Sequence, residues 1–327
     1  MENHTFDRLD LQLLHALETD GRAPFSRIAE VLGVSDQTIA RRFRRMRAEM
    51  NVRVVGVRDG ERLGQDSWML RLRCTPDTAD QLAHALARRP DTAWVGITSG
   101  GTEVGCTTRS PHLDRLLNRL PRTVLETRAH QLLHRFYGGP EGLLRKSGVL
   151  TGEQVRKLRE SAPTRPVPPA GPAALTPDDE PLVTALEQDG RATVAELQRA
   201  TGRQESAVRR RLDQLLRSGA LYIDMQFERD GFEYSSRAVL WITAAPSALA
   251  TVGQALAAHP EVAFASATSG GSNLVAVVVC RDTASVYRYL SEGVGGLEGV
   301  QHVECAPVLR TVKQLTYAER RRAGARA

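Results

Sequence analysis

The sequence predicts an α+β chain made of two copies of one plan, a three-helix helix-turn-helix module followed by a βαββαβ ferredoxin-like module. Three observations carry this. A capped turn introduces a basic helix at about 33–46. After it, strand-like and helix-like periods alternate in the order β-α-β-β-α-β. The chain then starts again: Glu187-Gln188-Asp189-Gly190-Arg191-Ala192 repeats Glu18-Thr19-Asp20-Gly21-Arg22-Ala23, and Thr268-Ser269-Gly270-Gly271 repeats Thr98-Ser99-Gly100-Gly101. Copies this far apart are a domain-scale duplication, and 327 residues leave room for it.

The first helix is expected over 6–19, with Leu9, Leu13, Ala16 and Leu17 on one face; Asp20-Gly21-Arg22 ends it. A short helix follows from Phe25 to Leu32. Gly33 suits the left-handed residue that closes a helix, and Ser35 suits the N-cap of the next. In that third helix Ile39, Phe43 and Met46 form an apolar stripe at i, i+4, i+7. The opposite face carries Gln37, Arg41 and Arg44, with Thr38 and Arg45 beside it. Gln and Arg are the side chains that read adenine and guanine in a major groove. An Arg stripe alone is usually a solvated helix face; the capped turn before it favours double-stranded DNA as the partner. Ser35, Gln37, Thr38, Arg41, Arg42, Arg44 and Arg45 are the expected DNA contacts of this copy.

Beyond Asn51, a strand is expected at 52–57, then strands at 68–74, 92–98, 102–108 and 122–136, with helices at about 76–89 and from Ser110. From Gly138 the pattern weakens. Thr151-Gly152-Glu153-Gln154 caps one short helix, and Ser161 to Pro181 holds seven prolines, a linker composition. The expected organisation is helix-turn-helix 1–52, ferredoxin-like module 53–137, linker 138–174, helix-turn-helix 175–222, ferredoxin-like module 223–315 and a basic tail 316–327.

Composition sets limits. Hydrophobic and charged fractions of 41% and 25% are ordinary for a globular protein, and a net charge of +6 does not prove a nucleic-acid partner. Only Lys146, Lys157 and Lys313 are lysines; the Arg bias suggests a GC-rich bacterial genome. Cys74, Cys106, Cys280 and Cys305 are scattered in strand-like contexts and read as free thiols, without metal-ligand spacing. The polar start reads as no signal peptide, and the longest apolar run, Leu274 to Cys280, is far short of a membrane span, so a cytoplasmic protein is expected. No catalytic triad, phosphate loop, metal cluster or cofactor motif is recognisable.

The run Leu9-Asp10 … Asp20-Gly21-Arg22 … Gly33-Val34-Ser35 … Thr38-Ile39 … Arg41-Arg42-Phe43 resembles the Lrp/AsnC (feast/famine) family of transcriptional regulators. The resemblance implies a DNA-binding first module. It also implies a second module that pairs face to face into dimers and larger rings, often sensing an amino acid at the turn between its second and third strands. Here those turns are Gly100-Gly101-Thr102-Glu103 and Gly270-Gly271-Ser272-Asn273, the expected effector contacts. The family usually has G-x-x-D, and neither copy keeps the Asp. With both copies in one chain, an intrachain pseudo-dimer or a homo-oligomer is expected.

The two basic helices differ. In the second copy, Ser206, Arg210 and Asp213 stand where Gln37, Arg41 and Arg44 stood, and Gln204 replaces the Ser35 cap. Residues 1–60 hold ten Arg against nine acids, and 175–225 seven against nine. Ser206, Arg209 and Arg210 are the expected contacts of a weaker second reader. Two other classes compete. Some sirohaem decarboxylases resemble this family as paired or fused copies, and His130 and His134, on one expected strand face, are the residues to cite for that; the second copy has Ala306 and Arg310 there. A sensor or scaffold without DNA is the third.

Overall fold

The computed structural model describes residues 6–161, 173–227 and 236–316. The proline-rich core of the expected linker, 162–172, and nearly all of the basic tail lie outside the described residues. Among those described, no helix is long and apolar enough to cross a membrane.

The first head contains α1 (Arg8–Thr19), α2 (Phe25–Leu32) and α3 (Asp36–Glu49). Asp7 and Asp10 form a reciprocal capping box on α1, Gly33 closes α2 at φ +68°, and the Ser35 hydroxyl accepts from the Thr38 N–H at the start of α3. Ile39, Phe43 and Met46 are buried against Leu13, Leu17 and Ile28, as their spacing requires.

Two features between modules were not legible. First, β1 (Arg53–Arg58) does not lead into the first ferredoxin-like module. It pairs antiparallel with β6 (Leu221–Gln226), from Arg53 opposite Gln226 to Arg58 opposite Leu221, and so joins the two heads. Secondly, 138–161 is no free linker. Leu144, Leu150 and Leu158, the last on α6 (Gly152–Ser161), are buried in the core of the first head. The Glu18 carboxylate accepts the N–H groups of Leu144 and Arg145. An apolar stripe that finds a groove gains more than one left in water.

The second head repeats the first with α7 (Glu180–Gln188), α8 (Val194–Thr201) and α9 (Glu205–Ser218). Thr193 and Glu196 cap α8 reciprocally and Gly202 is left-handed, whereas Gln204 gives α9 no side-chain cap. The repeated Asp-Gly-Arg-Ala segments meet at the joint. Arg22 donates to the carbonyls of Gly190 and Ala192, and Arg191 to those of Gly21 and Ala23. Glycine is needed at both corners, because a Cβ on Gly190 would lie 2.9 Å from the backbone of Val55, and one on Gly21 would strike Ile223.

The ferredoxin-like modules run β2 (Trp68–Cys74), α4 (Ala79–Ala87), β3 (Thr92–Thr98), β4 (Glu103–Thr108), α5 (Leu113–Leu117), β5 (Val124–Tyr137), and β7 (Ser236–Ala244), α10 (Leu249–Ala258), β8 (Val262–Thr268), β9 (Leu274–Cys280), α11 (Thr283–Arg288), β10 (Val300–Lys313). All eight strands close one barrel, in the order β10-β3-β4-β2-β5-β8-β9-β7. The long last strands make the closure. β5 pairs with β2 by its first half and β8 by its second; β10 pairs with β7 and then β3. The modules are thus an intrachain pseudo-dimer with no free edge at the seam. A register shift between Leu132 and His134 breaks the alternation expected of β5, so His130 is buried while His134 is exposed. Cys74, Cys106 and Cys280 are buried, Cys305 is half-buried, and all four are free thiols.

His15 of α1 is 2% exposed, and among the described residues neither ring nitrogen has a hydrogen-bond partner. Burial, with Arg145 and Arg159 nearby, pushes its pKa down to about 4. The fold therefore holds it neutral, while the unfolded chain takes up a proton below about pH 6.5. Stability should be unaffected above pH 6.5 and fall by up to about 3 kcal/mol as pH drops toward 4. Urea unfolding of wild type and His15→Leu across this window checks it; an unchanged pH slope in the variant would refute the assignment.

Candidate nucleic-acid interface and effector pocket

On α3 the structure separates the predicted DNA contacts into two sets. Ser35, Gln37, Thr38, Arg41 and Arg44 line one shallow concave patch with Ala40. Gln37, Arg41 and Arg44 are exposed, and no ion pair holds either of these arginines among the described residues. The Ser35 and Thr38 hydroxyls lie 2.9 Å apart, fixing the start of the helix. Arg42 and Arg45 face elsewhere. Arg42 reaches Asp7 at 2.6 Å and Asp10 at 2.8 Å, and Arg45 binds the other oxygen of Asp10. Asp10 is fully buried on α1, and a carboxylate removed from water needs such partners. These two arginines therefore hold α1 against α3, a structural role beside the DNA contact expected of them. For Asp7, burial would raise the carboxyl, but the Asp10 N–H and the Arg42 guanidinium outweigh it and hold the pKa below the usual value.

The second copy contains the same structural pair. Arg211, the counterpart of Arg42, binds buried Asp179 at 2.6 Å, and that bond holds the Asp179 carboxyl far below its ordinary value. The recurrence of the Asp and the Arg at one spacing in both copies was the signal that could have marked them as structural. The outward face of α9 is more self-satisfied than that of α3. Arg209 pairs with Glu205 at 2.6 Å and Asp213 with Arg217 at 2.7 Å, leaving Ser206 and Arg210 exposed.

The first expected effector turn borders a cavity of about 220 Å³. Thr102 and Glu103 line it, and Gly100 and Gly101 form its turn at φ +68° and +92°. The other lining groups were not predicted: Arg71 and Arg73 of β2, Ser99, Glu126 and Arg128 of β5, and Glu304 of β10. Arg71 bridges Glu103 at 2.8 Å and Glu304 at 2.5 Å, with its guanidinium 4.8 Å from the centre of the Trp241 ring. Arg71 in turn holds the Glu304 carboxyl below its usual pKa. Closure of the barrel brings Arg71 and Glu304 together, and no local spacing could reveal that. At the second turn the expected residues are tied down instead. Asn273 exchanges two hydrogen bonds with the backbone of Ala244, the Ser272 carbonyl accepts from Thr268, and the Gly271 carbonyl accepts from Thr243.

Two paired helix-turn-helix heads over a barrel of two ferredoxin-like modules define the architecture of a duplicated helix-turn-helix protein. Comparison with known proteins agrees. The AsnC-type helix-turn-helix domain matches residues 6–47, and the Lrp/AsnC ligand binding domain matches residues 237–318. An uncharacterized HTH-type transcriptional regulator of Pyrococcus abyssi is 28% identical over 146 residues, 43% of this chain and 89% of that protein. The HTH-type transcriptional regulator FL11 of Pyrococcus horikoshii is 24% identical over 139 residues, 42% of this chain and 91% of its own length. Both are archaeal and about the length of one copy. Over the whole chain, the crystal structure of the siroheme decarboxylase NirDL has the same fold, with a TM-score of 0.61 at 14% identity, covering 95% of this chain and 94% of that one. The chain thus carries an AsnC-type helix-turn-helix domain in its first half and an Lrp/AsnC ligand binding domain in its second, and its fold repeats both modules.

The separation of the arginines on α3 has a direct consequence. Arg42→Ala strips a partner from buried Asp10 and should lower stability by about 2–4 kcal/mol. Arg41→Ala, at an exposed position, should stay within about 0.5 kcal/mol of wild type. Denaturant midpoints of the two variants decide this; equal midpoints would refute it.

Proposed function

We propose that the protein is a sequence-specific DNA-binding regulator in which the first head does most of the base reading. Gln37, Arg41 and Arg44 enter the major groove from α3, with Ser35 and Thr38 at the helix start contacting phosphate. The second head binds mainly the backbone through Ser206 and Arg210, with Arg209 already occupied by Glu205. The observation that carries this is the exposed amide and two exposed guanidiniums, without an ion pair among the described residues, behind a capped turn, on a helix whose Arg42 and Arg45 are bound to buried Asp10. DNA binding is tuned by a small effector at the first turn, and the protein works in the cytoplasm without catalysing a reaction.

The likeness to a siroheme decarboxylase is one of fold. Two features favour the regulator over a tetrapyrrole enzyme. The cavity at the turn, about 220 Å³, is below the roughly 300–1,000 Å³ of pockets for larger ligands. His130, the better buried of the two candidate histidines, packs against Trp241 with the ring planes tilted by 37°, and its Nδ1 lies 2.8 Å from the Ser269 carbonyl.

The expected outcome is that the protein binds its own promoter region at salt concentrations that release random DNA. Arg41→Ala should weaken specific binding by roughly tenfold or more, about 1–3 kcal/mol, and Arg210→Ala less and without sequence preference. Mobility-shift titrations across a salt series measure both. Equal losses would remove the asymmetry, and no preference for the promoter would remove the regulator. A haem-like visible spectrum after incubation with sirohaem would favour the enzyme.

A further inference from the structure

The recognition helices start behind equivalent left-handed glycines, Gly33 and Gly202, so their residues match position for position. At five matched positions of the outer face α3 has Asp36, Ala40, Arg41, Arg44 and Ala48, and α9 has Glu205, Arg209, Arg210, Asp213 and Arg217. The first set holds one acid and two arginines, the second two acids and three arginines, a net charge of +1 each. Charge on these faces therefore does not tell the two apart. What differs is which groups are free to bond and how close the helix can come.

On α9 both acids are bound one turn on, Glu205 by Arg209 at 2.6 Å and Asp213 by Arg217 at 2.7 Å. On α3 Asp36 accepts from the Gln37 N–H, and neither Arg41 nor Arg44 has an ion-pair partner among the described residues. Bulk differs too. Ala40 lies within the concave patch of Ser35, Gln37, Thr38, Arg41 and Arg44. Its counterpart Arg209 is exposed and tied to Glu205, so a long side chain stands where α3 has a methyl. A base edge must come within hydrogen-bond distance to be read, roughly 2.7–3.2 Å. The hollow above Ala40 allows that approach, and the Glu205–Arg209 pair obstructs it. Arg210 repeats Arg41, but from a helix held off the bases it reaches phosphate.

We infer that the chain recognises a directional DNA site: a base-specified half-site under α3, and further along the same face of the duplex a half-site held by its backbone alone. This rests on the DNA-reading proposal above. Gln pairs bidentately with adenine and Arg with guanine. From Gln37 to Arg44 the helix rises about 10 Å, or roughly three base-pair steps of 3.4 Å. The specified half is therefore a cluster of adenine and guanine pairs within about four base pairs. The joint fixes both helices about one dyad, so a chain turned end for end would lay α9 on those bases and lose them. The chain thus sits on DNA in one orientation, a choice that two identical readers do not have. Ala40 against Arg209, and Arg44 against Asp213, set the direction.

The test is selection of binding sites by the full chain from a randomised duplex library, repeated with variants. The expected wild-type result is one cluster of adenine and guanine pairs, with no inverted copy whole helical turns away, about 10–10.5 base pairs each. Ser206→Gln with Arg209→Ala and Asp213→Arg gives α9 the reading groups of α3, and should select the cluster as an inverted repeat. Arg209→Ala with Asp213→Arg serves if the triple variant does not fold. Ala40→Arg should lower affinity for the selected site about tenfold or more while leaving affinity for random DNA within about twofold. An inverted repeat selected by wild type would overturn the directional site and keep the base-reading proposal. A lone cluster from the α9 variants, or wild-type affinity in Ala40→Arg, would overturn the assignment of direction to these side chains. No selected sequence from wild type would overturn base reading and this inference together.

Discussion

The joint between the two heads is the constraint on which the rest depends. Arg22 and Arg191 each cap the other copy's corner through two carbonyls, across an antiparallel pair of strands. Four charge-assisted hydrogen bonds to backbone are stronger than neutral ones and are fixed in direction by the planar guanidinium. Arg191 also lies over the Phe25 ring at 4.4 Å, so the clasp reaches the core of the first head. Below, the crossing of β5 and β10 repeats the same two-fold relation in the barrel. Heads and barrel thus share one approximate dyad, and each recognition helix is placed by backbone contacts that do not depend on what its outer face carries.

The first head is also tied to the barrel. Arg135 near the end of β5 binds Asp59 at 2.9 Å and Glu61 at 3.0 Å, just beyond β1. Arg109, after β4, donates to the Arg58 carbonyl, and the Arg58 guanidinium crosses to Glu180 and Glu187 of α7. The same strand, β5, carries Glu126 and Arg128 at the cavity. β5 is thus linked to β1 and, through Arg58, to the second head. Asp59 is buried and paired, so a shift of β5 relative to β1 would leave a buried charge without its partner.

Sequence alone resolved what is local. Gly33, Ser35 and the Ile39-Phe43-Met46 stripe specify their turn and helix within a few residues, and the βαββαβ order follows from period and breakers. What stayed hidden was long-range. Helical phase set Arg41 and Arg44 on the outer face and Arg42 nearer the apolar stripe, but nothing near Arg42 announces that Asp10 will be buried beneath it. The segment around Leu144 and Leu158 read as linker because its groove belongs to another element. The cavity was half legible: the glycine turn marked the place, but Arg71 and Glu304 meet only because the barrel closes.

Duplication within one chain changes what selection can act on. In a homodimer each substitution appears at both related positions, so a reader or a pocket cannot be altered on one side alone. Here the backbone dyad is kept by residues that repeat: Gly21 and Gly190, Arg22 and Arg191, Asp10 with Arg42 and Asp179 with Arg211. Several residues that face outward or into the cavity do not repeat, although Arg41 recurs as Arg210. Gln37 has become Ser206 and Arg44 has become Asp213, while Ala306-Pro307 stands against His130-Gln131. Divergence confined to side chains that leave the joint untouched is what a two-fold scaffold with unlike halves requires. Asp213 fits this logic: an acid at the former place of Arg44 is tolerable next to DNA only if that half is not asked for close groove contact, and it is neutralised by Arg217 one turn on.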